Sequence, residues 1–187
     1  MKKSVLVVID MQNDFIDGSL GSDAAKAIVP NVVKKIEEAD KDTLIIFTQD
    51  THFGDYDDTL EGKLLPVHHC HFNTDGWLIH PDISEAWTDS RTNIIHDPEF
   101  RYGNTIIKTT FGSTQLMNFL IREGHNFDEI EFCGLLSEIC VISNVLMARA
   151  ALPDMPITVD SNCCAGATPE AHNAALTVMR SCQINVI

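Results

Sequence analysis

Asp10, Lys108 and Cys140 stand where apolar runs of strand character give way to polar sequence, in VLVVID, TIIK and, a few residues beyond EFCGLL, SEIC. An acid, a cation and a thiol in such places make a nucleophilic site. A thiol attacks as its thiolate, which is scarce at neutral pH for an ordinary cysteine. A nearby ammonium and a helix N-terminus both favour the thiolate. A carboxylate can accept the thiol proton, return it to a leaving amine and then activate water. The backbone N–H groups of Leu136 and Cys140 are the candidate donors to the oxyanion of a tetrahedral intermediate. Taken singly, each residue has a plain reading: Asp10 as a turn or cap residue, Lys108 as a solvated strand end, Cys140 as core. Taken together at one edge of a sheet, they point to a hydrolase that works through a covalent intermediate.

A second constellation begins at Asp50-Thr51-His52. Alternation along an extended strand puts residues 50 and 52 on one side, and a third ligand from His68, His69 or His71 would complete a carboxylate–imidazole set for a divalent metal. The competing reading is a polar loop that happens to be rich in histidine.

The elements that must position these groups follow an alternating rhythm. Ser4–Ile9 is apolar throughout, as in a strand buried on both faces. Further strands are expected at Thr43–Thr48, Thr105–Lys108, Glu131–Leu135 and Pro156–Asp160, with a short edge strand at Asn185–Ile187. Helical spacing links Ile28, Val29, Val32, Val33 and Ile36, with Pro30 read as a first-turn residue. Other helices are expected from Ser113 or Thr114 to about Arg122, over Glu138–Ala151, and after Thr168-Pro169-Glu170. This βα series predicts an α/β fold of three layers, α/β/α, with a mostly parallel sheet of about six strands. In such sheets the site lies beyond the C-terminal strand ends. The stretch from about Gln49 to Gly103 breaks the rhythm; it carries most of the histidines (His52, His68, His69, His71, His80 and His96) and both tryptophans, and is read as a functional segment.

The length of 187 residues fits one domain spanning 1–187. A net charge of −14 argues against nucleic acid and anionic membranes as partners, because phosphate binding needs clustered Lys and Arg. The apolar run after Lys2 and Lys3 is too short for an export signal, and no segment approaches a membrane span. A cytoplasmic protein is expected, and its six cysteines are then free thiols. No C-x-x-C pair is present, and after the first strand MQNDF stands where a Gly-rich phosphate loop would be.

These motifs resemble the isochorismatase-like cysteine hydrolase superfamily, and within it the nicotinamidases. The matching elements are VVIDMQNDF, TQDTH, HHC followed by IHPDI, IIKTTFGST, GLLSEICV and DSNCCAGATPEAHNAAL, which span nearly the whole chain. The resemblance implies a six-stranded sheet, a catalytic triad of Asp10, Lys108 and Cys140, a thioester acyl-enzyme and a cis peptide between Leu135 and Leu136. It also implies a metal on Asp50, His52 and His69, zinc first with iron or manganese as alternatives, which would hold the ring nitrogen of a pyridine-like substrate. Phe15 matches a pocket aromatic. The implied reaction is hydrolysis of a small aromatic carboxamide, nicotinamide to nicotinate and ammonia. The alternatives are another small amide, carbamate or ureide, or a non-catalytic flavodoxin-like binding module. Homo-oligomers are common in the family. Thr51, Leu65 and Pro66 depart from the family's aromatic residues at those places, with Trp77 or Trp87 as possible substitutes, and His172 is read as structural.

Overall fold

The computed structural model describes residues 3–90, 94–95, 97, 100 and 102–187; His96 lies outside them. Six strands form one sheet: β1 (Ser4–Ile9), β2 (Leu44–Asp50), β3 (Thr105–Lys108), β4 (Glu129–Leu135), β5 (Ile157–Ala165) and β6 (Asn185–Val186). Their order is β3-β2-β1-β4-β5-β6 and every pairing is parallel. The α-helices are α1 (Asn13–Ile16), α2 (Asp23–Glu37), α3 (Leu60–Leu64), α4 (Pro81–Ser90), α5 (Thr114–Glu123), α6 (Ile142–Ala151) and α7 (Pro169–Ser181). α2 packs with α4 and against β4 and β5, while α5, α6 and α7 pack side by side, giving helical layers around the sheet. No helix among the described residues is long and apolar enough to cross a membrane.

The central strand β1 is buried from Val5 to Ile9, so its apolar run needs no alternation. Strand order reverses at β1, which pairs with β2 on one side and β4 on the other. Such a reversal opens a crevice at the C-terminal strand ends. Gly134 lets β4 close on β1 there: its φ is +117°, and a Cβ on it would lie 2.1 Å from the carbonyl oxygen of Ile9.

Four expectations change in detail. α2 starts at Asp23, capped by Ser22 Oγ accepting the Ala25 N–H at 3.0 Å, so Pro30 sits inside the helix rather than in its first turn. The residue is exposed, so the carbonyl that loses its helical donor can be hydrated. β5 runs to Ala165, five residues beyond the expected end. Its register against β4 shifts between Phe132 and Gly134, and the polar Asp160-Ser161-Asn162 that hid the strand occupies the bulge. The stretch after β2 contains a short 3₁₀ turn (Tyr56–Asp58) as well as α3 and α4, none of them expected. Finally, β4 is followed not by an α-helix from Glu138 but by a π-helical turn, Ser137–Val141, which leads into α6.

Candidate active site

Asp10 is the first residue past β1 and is fully buried. Its backbone is left-handed, with φ 49°, a conformation Asp tolerates better than most residues. Thr48 on β2 holds it twice: the Asp10 N–H donates to Thr48 Oγ1 at 3.2 Å, and the Thr48 hydroxyl donates to Asp10 Oδ1 at 2.6 Å. The other oxygen, Oδ2, has no well-angled hydrogen-bond partner; it meets Lys108 Nζ at 2.7 Å as an ion pair. Lys108 ends β3, with its ammonium 3.6 Å from Cys140 Sγ and 3.3 Å from Asp50 Oδ1. Lys108 is 4% exposed and Cys140 6%. The three residues singled out by type therefore share one buried corner at the sheet's C-terminal edge.

Cys140 lies within the π-helical turn. The Leu136 carbonyl accepts from both Ile139 and Val141 N–H at 3.1 Å, and Asn144 Nδ2 donates to the Cys140 carbonyl at 2.8 Å. Asn144 Oδ1 in turn accepts the Ser113 N–H at 2.9 Å, which ties the turn to the loop after Lys108. The Leu135–Leu136 peptide is cis.

Electrostatics set the resting state. Burial, aided by the Asp50 charge, raises the Asp10 pKa, and Lys108 offsets this only in part. Burial disfavours the Lys108 ammonium, but the charges of Asp10, Cys140 and Asp50 outweigh it and hold its pKa above the usual lysine range. Burial, with Asp10 and Asp50, also pushes the Cys140 thiol well up against the opposing pull of Lys108. One cation faces two carboxylates as well as the sulfur, so its pull on the thiol is shared.

The second constellation stands next to the first. Asp50, His52, Glu61 and His69 present ligand atoms that all lie within 4.8 Å of one another. His52 Nε2 is 3.2 Å from both Asp50 Oδ2 and His69 Nε2, and 3.6 Å from Glu61 Oε1. His69 Nε2 is 3.6 Å from Asp50 Oδ2 and 3.8 Å from Glu61 Oε1. His69 Nδ1 donates to the Val67 carbonyl at 2.7 Å, so the lone pair of its Nε2 faces the cluster. A tetrahedron with metal–ligand bonds of about 2.1 Å has edges of about 3.4 Å, close to these separations. Two imidazole nitrogens and two carboxylates gathered this closely are a donor set that a divalent cation fits.

Local structure explains why His69 is brought in and its neighbours are not. The Cys70 N–H donates to Asp14 Oδ2 at 2.7 Å, the Cys70 backbone is left-handed at φ 45°, and residues 70–72 pair with His52 through two backbone hydrogen bonds. His68 and His71 turn outward, 2.8 Å apart, and His68 pairs with Asp57. Gln12 holds Asp50 from below: its Nε2 donates to the Asp50 carbonyl at 2.9 Å and its Oε1 accepts the Asp50 N–H at 2.7 Å. The MQND segment after β1 thus supports the second cluster as well as following Asp10.

A cavity of about 360 Å³ joins the two clusters; Phe15, Leu65, His69, Phe111, Leu136 and Cys140 are among its walls. Phe15 stands on the His69 ring, centroids 5.5 Å apart. Trp77 and Trp87 are not on that wall. Trp77 is buried behind the D-x-H segment with its Nε1–H donating to Thr51 Oγ1 at 2.8 Å, and Trp87 packs edge-on against Phe47. A larger open groove of about 610 Å³ lies on the far side of Lys108 and does not reach Cys140. Neither Glu61 nor Phe111 stands out in the sequence. Thr59, which caps α3 through the Gly62 N–H, is the only local signal that a helix presents Glu61; Phe111 followed Lys108 too closely for its side to be read.

A model of the isochorismatase domain matches residues 4–187. A protein of Arabidopsis thaliana described as a probable inactive nicotinamidase is 29% identical over 187 residues, covering 96% of this chain and 89% of its own. The crystal structure of a nicotinamidase/pyrazinamidase from Bacillus subtilis is 26% identical, with a TM-score of 0.77 and 98% of each chain covered. The structure of the pyrazinamidase of Pyrococcus horikoshii in complex with zinc shares the fold, at 24% identity and a TM-score of 0.72, over 99% of this chain and 98% of that one.

Proposed function

The chain belongs to the isochorismatase domain family, and from that premise we propose that it is a nicotinamidase-like hydrolase of non-peptide C–N bonds, converting a small aromatic carboxamide, nicotinamide first, to its acid and ammonia through a thioester on Cys140. The observation that carries this reading is the position of Lys108 Nζ, 2.7 Å from Asp10 Oδ2 and 3.6 Å from Cys140 Sγ, beside a cavity whose wall also includes Asp50, Glu61 and His69.

Asp10 Oδ2 takes the thiol proton as Sγ attacks the amide carbon, and the carbonyl oxygen becomes an oxyanion received by the N–H groups of Leu136 and Cys140. Asp10 then delivers the proton to the amide nitrogen, the C–N bond breaks and ammonia leaves. In the second half Asp10 takes a proton from water, the water oxygen attacks the thioester, and the sulfur leaves with its proton restored. Lys108 stays charged throughout and balances the negative charge that moves between carboxylate and sulfur. Asp50, His52, Glu61 and His69 would hold a divalent metal, zinc first with iron or manganese as alternatives. That metal would supply a docking point for a ring nitrogen of the substrate. Phe15 faces the flat ring.

The cavity also favours a second reading. Leu20, Leu65, Leu136 and Ile139 line it, so a small non-aromatic amide fits its walls as well. Ammonia release from a panel of small neutral carboxamides, with metal, chelator or neither, tests the proposal. Activity that persists in Cys140→Ala would remove the thioester.

A further inference from the structure

The turn that carries Cys140 is tied to a part of the molecule that the proposed mechanism does not use. Ser137, the first residue of that turn, is fully buried, and its Oγ lies 2.7 Å from His172 Nδ1 on the first turn of α7. The next residue, Glu138, accepts the Ala167 N–H on Oε1 at 2.7 Å. Ala167 borders the same cavity as Leu136, Ile139 and Cys140. Two consecutive residues of the turn are therefore fastened to the segment between β5 and α7, while Asn144 fastens it on the opposite side to the loop after Lys108. The start of that helix is well defined: α7 begins with Pro169 in its first turn and is capped by Thr168 Oγ1, which accepts the Ala171 N–H at 3.1 Å. His172 itself is half-buried, so it is not needed to fill the core.

We propose that His172 is a positioning residue for the hydrolysis: through Ser137 it sets the pose of the 137–141 turn, and so the placing of the Leu136 N–H and the Cys140 sulfur relative to one carbonyl group. The inference rests on the proposed function above and adds a residue to it. A buried serine hydroxyl beside the nucleophile needs a partner, and drawing that partner from a different helix couples the turn's orientation to α7. Small errors in such a pose are costly, because attack and oxyanion capture must be satisfied by the same substrate atom positions.

The test compares His172→Ala, His172→Asn, Ser137→Ala and the double variant His172→Ala/Ser137→Ala with the wild type. Two readouts are used: steady-state kinetics on the carboxamide turned over best, and the rate of Cys140 alkylation by iodoacetamide, followed by peptide mass. His172→Ala and Ser137→Ala are each expected to lower kcat by about 10- to 100-fold with KM changed by less than about twofold, and to slow alkylation of Cys140. The double variant is expected to be no worse than the poorer single one, because both remove the same link. His172→Asn, with a polar atom at the branch that Nδ1 occupies, is expected to recover most of the loss. Unchanged kcat and alkylation in a merely less stable His172→Ala would overturn the proposal, as would fully additive losses. If His172→Ala does not fold, Ser137→Ala against Ser137→Thr carries the same comparison. Should wild-type Cys140 neither turn over a carboxamide nor react with iodoacetamide, the proposed function falls and this inference with it; a reactive wild type matched by an equally reactive His172→Ala removes the inference alone.

Discussion

Asp10, Lys108 and Cys140 are held by β1, β3 and the turn after β4, whereas of Asp50, His52, Glu61 and His69 only Asp50 belongs to a strand. The first corner is built on the rigid sheet. The second comes from the stretch between β2 and α4, where the chain must be folded back on itself by Asp14 and by the pairing of His52 with residues 70–72. The two corners meet in Lys108, which faces Asp10 on one side and Asp50 on the other. The first cluster is thus anchored on the sheet edge and the turn that follows β4, and the second on a connecting segment, so the two can be altered separately.

Substitutions can break or sharpen this contrast. The largest effect is expected from Cys140→Ala, with amide turnover lowered by at least about 1,000-fold and no acyl-enzyme seen by intact mass on rapid quench, while metal binding stays as in the wild type. Lys108→Met should damage both corners at once. Loss of the cation leaves two buried carboxylates facing each other, and urea unfolding in chelator should show a loss of about 3–5 kcal/mol, together with loss of turnover. Within the second corner, His69→Ala should weaken zinc binding by about 100-fold or more, whereas His68→Ala, one residue away but turned outward, should leave the zinc titration unchanged. Equal effects of the two would refute the assignment of His69. Thr48→Val keeps the shape of the residue and removes both of its hydrogen bonds to Asp10; a loss of about 1–3 kcal/mol is expected in urea, with turnover reduced and zinc affinity untouched.

The smallest effect lies away from both corners, where Lys35 bridges Glu131 at 2.6 Å and Asp160 at 2.7 Å. Burial pushes the Asp160 carboxyl up, but the Lys35 hydrogen bond and charge outweigh it and hold its pKa below the usual carboxylate range. A lowered folded-state pKa gives stability that is present above the unfolded pKa and is lost as pH falls through the folded one. Burial disfavours the Lys35 ammonium, yet its bonds to Asp160 and Glu131 raise its pKa overall, so its share is lost only as strongly alkaline pH is reached. Lys35→Met is therefore expected to cost about 1 kcal/mol at neutral pH. The gap from wild type in urea midpoint should close on acidification below about pH 4.

Much of this molecule is legible in its residues. The run from Val5 to Ile9 is apolar on both faces and short, which fits a covered strand, and the same logic finds β2, β3 and β4. β5 was read short because Asp160-Ser161-Asn162 breaks its apolar run, a break that the β-bulge and Lys35 accommodate. α3 is brief, and both α3 and α4 lie in a segment whose fold comes from distant partners, so neither stands out in the sequence. In the candidate site the residue types of the triad and of the D-x-H pair were readable, whereas Glu61, Phe111 and the Ser137–His172 link were not.

What the chain order alone determines is chemistry by type and the place of each group along a βα series, because strand burial and helix capping act over a few residues. What tertiary structure decides is mutual distance and protonation. His69 and His68 are chemically the same side chain; the family resemblance points to His69, and the hydrogen bond from Cys70 to Asp14 with the pairing of His52 with 70–72 are what turn one inward and the other outward. Likewise the Cys140 thiol is pushed up first by its burial and then by Asp10 and Asp50, the two carboxylates that share its ammonium partner. Such choices arise from contacts between residues tens of positions apart, whose energies depend on separation and burial rather than on sequence spacing.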